Sequence, residues 1–222
     1  MKSTANQICV NPIAPDPRAI EIAVDVVRNG GVVVFPTAGL YGLGADAFNP
    51  QAIERIVQIK GRDRGKPILV LIDQPQMLTQ VASAVTPMAN FLMERLWPGR
   101  VTFVVQARLE LPLELTSGTG KIGVRRVAHP VAAALVKTLG SPITGTSANL
   151  AGAGGCADIA LLDESLKAAV DLMIDAGPLT GGVGSTIVDV SMEAPVILRQ
   201  GAVPAQEIMD LFQLYREGGT PS

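Results

Sequence analysis

Two apolar runs, residues 32–35 and 68–72, bracket a glycine-punctuated segment, a helix, and four cations within seven positions, Lys60, Arg62, Arg64 and Lys66. The first run is apolar on both faces, as a central strand covered on both sides would be. Asn49-Pro50 then opens a helix whose Ile53, Ile56, Val57 and Ile59 face one way. A strand, helix and strand joined this closely call for helices laid on a sheet. The cations need a separate explanation, because like charges at this spacing destabilise a fold unless an anion or carboxylate sits among them. A helix C-terminus favours Lys60 and Arg62 but does not reach Arg64 and Lys66. A solvated basic turn and an anion site both satisfy the pattern.

The same signals divide the rest of the chain. Asp16-Pro17 caps a helix carrying Ile20, Val24 and Val27, and Asn29-Gly30-Gly31 closes it. Pro36 is expected to end the first strand, having no ladder donor, with Gly39, Gly42 and Gly44 following in a turn. Those glycines either supply positive φ or bring backbone close to a ligand, with Thr37 and Tyr41 offering hydroxyls. Thr86-Pro87 starts a helix that Trp97-Pro98-Gly99 ends, and Trp97 reads as a packing anchor. Residues 101–105 and 122–127 read as strands, the second carrying Arg125 and Arg126 consecutively. Successive strand residues face opposite ways, so one arginine can enter a site while the other meets solvent. His129-Pro130 begins another helix, where a lone histidine reads as a cap or surface group. Further strands are expected at 172–174, 185–190 and 196–198, with helices at 161–170 and 204–215. No repeat or long linker appears, so residues 1–222 read as one domain, with a core over about 17–203 and loose ends at 1–15 and 217–222.

Composition excludes several classes. No run approaches the ~20 apolar residues of a membrane span, and the N-terminal stretch lacks a secretory apolar core, so a cytoplasmic location is expected. Cys9 and Cys156 are isolated and His129 is the single histidine, which leaves no zinc spacing and no metal site. A net charge of −2 argues against a surface devoted to nucleic acid, while leaving room for a local basic cavity.

Two donor-rich segments remain, TGTSAN with the glycines after it and the loop over residues 177–184. Small hydroxyls and an amide at a strand end, followed by glycine, suit phosphate or ribose oxygens, though they also make plain loops. Neither matches a P-loop. Thr37, Lys60, Arg62, Lys66, Arg125, Thr146, Ser147, Asn149, Ser185 and Arg199 all fall at strand ends or in adjoining loops, where ligands gather in sheet proteins. This inventory holds no activated nucleophile. It suits catalysis by positioning and charge stabilisation, of which nucleotidyl transfer from ATP is the main example.

PTAGLYGLG, KGRDRGKP, WPGRVTFVV, GVRRVAHP, PITGTSANLAG, STIVDV and LRQGAV occur in an order that resembles the YrdC/Sua5/YciO family, in particular its short YrdC-type members with threonylcarbamoyl-AMP synthase activity. The resemblance implies an α/β fold, a twisted mixed sheet with flanking helices around a concave, positively charged cavity. It implies formation of L-threonylcarbamoyladenylate and pyrophosphate from L-threonine, bicarbonate and ATP, with Mg²⁺ accompanying ATP. That product would feed a downstream transferase complex making N6-threonylcarbamoyladenosine at position 37 of tRNA. Carried over by position, Lys60 and Arg62 are catalytic and ATP-binding. Thr37, Lys66, Arg125 and Ser185 meet threonine, and Thr146, Ser147, Asn149 and Arg199 meet ATP. Gly39, Val127 and Ala151 depart from the threonine, proline and serine of the family motifs. A YciO-like paralogue acting on a related adenylate is the nearest alternative. A module binding double-stranded RNA or tRNA is a third reading, against which stand the 4% aromatic content and the slightly acidic balance.

Overall fold

A computed structural model describes residues 6–61, 63 and 65–218 of the chain; Arg62 and Arg64 of the basic turn lie outside the described residues. In chain order the strands are β1 (Asn6–Cys9), β2 (Val33–Pro36), β3 (Tyr41–Gly44), β4 (Leu69–Ile72), β5 (Ala82–Ala84), β6 (Val101–Ala107), β7 (Lys121–Arg126), β8 (Ile143–Ser147), β9 (Leu172–Asp175), β10 (Thr186–Asp189) and β11 (Val196–Arg199). The helices are α1 (Pro17–Arg28), α2 (Pro50–Lys60), α3 (Leu78–Val81), α4 (Pro87–Leu96), α5 (Leu113–Thr116), α6 (Pro130–Leu139), α7 (Glu164–Ala169) and α8 (Ala205–Arg216), with 3-10 turns at Pro75–Met77 and Ile159–Leu161.

The strands form one mixed sheet in the order β1-β9-β2-β3-β8-β4-β7-β6-β10-β11, with β5 paired to β6. Its centre is β8, which runs antiparallel to β3 on one side and to β4 on the other. Helix α1 packs on α6, both touch β2, and α4 packs on β6 and α8. The caps read from the sequence close as expected. Asp16, Asn49 and Thr86 accept the N–H of Arg18, Ala52 and Ala89, each with proline in the first turn. Trp97 is buried, donates its indole N–H to the Val101 carbonyl at 2.9 Å, and meets Phe103 edge-on. His129 caps α6, its Nδ1 accepting the Val131 N–H, and burial holds its pKa down.

Two expectations change. Tyr41–Gly44 is a strand, pairing antiparallel with β2 from Val33↔Gly44 to Pro36↔Tyr41. Its glycines answer to packing: a Cβ on Gly44 would lie 2.5 Å from the Phe35 ring, and one on Gly42 would lie 2.8 Å from Thr37 Cγ2. Pro36 is the last residue of that ladder, so β2 ends at the proline as expected. Residues 6–9, expected to be loose, form β1 parallel to β9.

Candidate functional site

Strand register builds the floor of a cavity of about 900 Å³. Gly145 lies opposite Leu69, Gly123 opposite Val104, and Asp189 beside Val104, so these residues share one face of β8, β4, β7, β6 and β10. Continuing the same registers sets Thr102 between Arg125 and Ile187, and Arg100 beside Ser185. A side chain at Gly145 would clash with Leu71, and one at Gly123 would be tight. A Cβ at 123 would stand 3.2 Å from Leu69 Cβ, and one at 145 would stand 2.7 Å from Leu71 Cγ. Glycine inside a strand marks a place where something must come close to the backbone.

Thr37, Lys60, Lys66, Arg125, Thr146, Ser147, Asn149, Ser185 and Arg199 line this one cavity. The alternation along β7 separates the two arginines as expected. Arg125 faces the cavity, while Arg126 donates its Nε–H to the Asp73 carbonyl at 2.8 Å. Arg125 is held without compensation: its buried Nε finds no hydrogen-bond partner among the described residues. Burial first, then the nearby Arg100 and Arg199 guanidiniums, push its pKa down to about 10. Buried Ser185 and Thr102 share a hydrogen bond of 2.8 Å, and Arg199 donates to the Ser185 carbonyl at 2.8 Å. Thr37 is buried with its hydroxyl donated to the Leu40 carbonyl at 2.8 Å. On the basic turn the Asp63 carboxylate accepts the Gly65 N–H, and Lys66 is exposed at the rim.

Lys60 is placed differently from a side chain that simply reaches into solvent. It is only 5% exposed, and its ammonium donates to the Ser147 carbonyl at 2.5 Å, the Asn149 carbonyl at 2.7 Å and Asn149 Oδ1 at 2.9 Å. The Lys60 carbonyl in turn accepts the Ala151 N–H. Ser147 Oγ and the Asn149 amide close the same loop on Asn149 Oδ1 and the Ala153 carbonyl. The end of α2 is thus clamped to the glycine-rich segment after β8.

Among the lining groups that sequence reasoning missed are Arg100, Thr102, Lys121 and Asp189. Arg100 and Thr102 were accessible through period-2 alternation around the start of β6. Lys121 and Asp189 gave no local signal, because they sit on strands separated by β6 and meet at 2.7 Å across it. Burial pushes the Asp189 pKa up, but bonds from Lys121 and Ser191 outweigh that and hold it low. Tyr41 offers no hydroxyl to the cavity. Its OH donates to the Gly177 carbonyl and accepts the Ala176 N–H, and burial raises its pKa.

Gly39 is enforced by its neighbours. A Cβ there would fall 2.2 Å from Arg100 Nη2 and 2.2 Å from the Gly181 carbonyl oxygen, which belongs to backbone already bonded to Gly39. Gly39→Ala is therefore expected to lower stability by about 1–3 kcal/mol through overpacking and to expose the loop over residues 177–184 to limited proteolysis. Unchanged melting and cleavage patterns would mean that both neighbours yield freely.

The described lining residues bring six cations, Lys60, Lys66, Arg100, Lys121, Arg125 and Arg199, against two carboxylates, Asp63 and Asp189. Among the described residues no group of three or more His, Cys, Asp or Glu could hold a metal, and no helix is long and apolar enough to cross a membrane. Such a site defines an α/β protein whose cavity offers hydroxyls, amides and guanidiniums of a kind suited to a polyanionic ligand. Residues 25–201 match the Sua5/YciO/YrdC family model, described as telomere recombination, and the chain belongs to that family. It is 34% identical over 189 residues to the threonylcarbamoyl-AMP synthase of Pyrococcus abyssi, covering 85% of this chain and 56% of that protein. The chain thus spans little more than half of that relative's length. The crystal structure of P. abyssi Sua5 complexed with L-threonine superposes with a TM-score of 0.88 at 33% identity, over 92% of this chain and 60% of that one. Escherichia coli YciO superposes at 0.84 with 30% identity, over 92% and 99%.

Proposed function

We propose that the chain is an L-threonylcarbamoyladenylate synthase, converting L-threonine, bicarbonate and ATP into threonylcarbamoyl-AMP, pyrophosphate and water. The observation that carries this reading is the cavity itself, in which Arg100, Arg125 and Arg199 converge with no ion pair to any described carboxylate. Uncompensated guanidiniums in a partly dry site favour a ligand carrying several negative charges, and ATP with a carboxylate substrate supplies them.

On this reading Arg125 takes the α-carboxylate of threonine, with Thr37 and Ser185 beside it and Lys66 at the rim. Ser147, Asn149, Thr146 and Arg199 take the nucleotide. Lys60 orients that nucleotide loop and sets its positive charge beneath it, while Arg62 adds charge stabilisation for the transferring phosphate. The amine attacks bicarbonate carbon and water leaves; a carbamate oxygen then attacks the α-phosphorus and pyrophosphate departs. Mg²⁺ would come as part of the ATP substrate, where it would help neutralise the triphosphate; among the described residues no cluster of three or more His, Cys, Asp or Glu stands ready to hold it. We read the chain as a single YrdC-like unit working in the cytoplasm, its product consumed by a transferase that modifies tRNA.

Purified protein with ATP and bicarbonate is expected to release pyrophosphate on addition of threonine, and to do so far less with valine. A site that hydrogen-bonds a substrate hydroxyl leaves its own polar group unpaired with the isostere. Pyrophosphate release independent of any amino acid would overturn the assignment and favour a YciO-like activity. RNA binding without adenylate formation would favour the nucleic-acid reading.

A further inference from the structure

The Gly39 void is filled by a cation. Arg100 immediately precedes β6, where alternation puts it on the cavity face with Thr102 and Val104. Its Nη2 occupies the place a side chain at position 39 would take. Among the described residues its hydrogen bonds are two long ones from that nitrogen, to Thr180 Oγ1 at 3.4 Å and the Gly181 carbonyl at 3.5 Å. Nε and Nη1 make none, and no described carboxylate pairs with the guanidinium. A second arginine this close to Arg125 is repelled by it, so the arrangement makes sense only with a second negative charge between them.

The synthase reading, on which this inference rests, creates such a charge at this end of the cavity. The amine lone pair forms a C–N bond to bicarbonate carbon and water leaves with the displaced proton. Threonine with one carboxylate becomes N-carboxythreonine with two. One guanidinium holds one carboxylate bidentately.

We propose that Arg100 binds bicarbonate and then the carbamate carboxylate formed from it, while Arg125 holds the α-carboxylate. Gly39 is glycine because it makes room for that second guanidinium.

The test compares wild type, Arg100→Ala, Arg100→Lys and Thr180→Val. Pyrophosphate release is followed while bicarbonate, threonine and ATP are varied in turn. Arg100→Ala is expected to raise the KM for bicarbonate about ten- to a hundredfold, the range for a lost hydrogen bond to a charged group, with the KM for ATP within about twofold. Arg100→Lys keeps the charge without the fork and is expected to fall between. Thr180→Val removes one contact to the loop but no charge, and is expected to keep the wild-type bicarbonate KM. If Arg100 merely pins the loop over residues 177–184, Arg100→Ala raises all three KM values together and the proposal fails. It fails equally if the bicarbonate KM does not move.

Thermal stabilisation by bicarbonate plus threonine is read without turnover. A wild type stabilised by bicarbonate through Arg100 that releases no pyrophosphate leaves the bicarbonate site standing and sinks the synthase reading. Aspartate stabilising the protein without bicarbonate, where threonine does not, would show that the second carboxylate comes from an amino-acid side chain, against the proposal.

Discussion

Arg125→Met is expected to yield a protein that melts higher and turns over far more slowly. The wild-type guanidinium is buried at Nε without a partner, beside two other arginines. Exchanging such a charge for an apolar side chain of similar length is neutral or stabilising by about 1–4 kcal/mol, and each kcal/mol gained raises the melting temperature by about 2–4 °C for a chain this long. The destabilised species is the charged one. Its folded pKa of about 10 lies below the ordinary arginine value, so the cost is full below pH 10 and is relieved as pH rises through it. The gap in stability between variant and wild type is therefore expected to narrow above pH 10. Turnover should fall by about 10²- to 10³-fold, as when a donor that stabilises substrate charge is removed. Scanning calorimetry across pH and a pyrophosphate assay check both halves. A variant that melts lower yet keeps its rate would make Arg125 a structural group.

Lys60→Met is expected to fail in the opposite way, losing stability and nucleotide affinity together. Three acceptors, the Ser147 and Asn149 carbonyls and Asn149 Oδ1, converge on one ammonium. Removing it is expected to lower stability by about 1.5–3 kcal/mol, the range for hydrogen bonds to a charged group. ATP affinity should drop at least about tenfold, the ratio that 1.4 kcal/mol of lost loop order corresponds to. Lys60→Arg should not restore it, because a planar fork cannot converge on three acceptors arranged around a point. Isothermal calorimetry with ATP, alongside circular dichroism to verify folding, decides the matter. ATP affinity within threefold of wild type in both variants would show that the clamp does not shape the nucleotide loop.

The helices were legible because their ends carry local chemistry, such as Asp16-Pro17, Asn49-Pro50 and Thr86-Pro87. Arg125 and Arg126 were separable by alternation alone. The strand at Tyr41–Gly44 was not, because glycine there reads as a turn unless one knows that Phe35 and Ile143 press on it. The Lys121–Asp189 pair needed the strand order, which places them two strands apart. Lys60 falls in the site by its motif, but its clamp on the loop after β8 depends on contacts 87 and 89 positions distant, which local spacing does not reveal. Gly39 was noted as a departure, and only the position of Arg100 explains it.

Strand β8 is the seam between two flanks of the sheet. It meets β3 through two residue pairs, Gly42↔Ser147 and Leu43↔Thr146, and β4 through three. Thr37 and Gly39 belong to the β2–β3 flank, Arg125, Ser185 and Arg199 to the other, and Ser147 to the seam itself. A substrate held by all of them works as a brace across the seam. Part of its binding energy then goes into tying the flanks together, so an empty cavity and a filled one should differ less in shape than in how far the two flanks unfold as one.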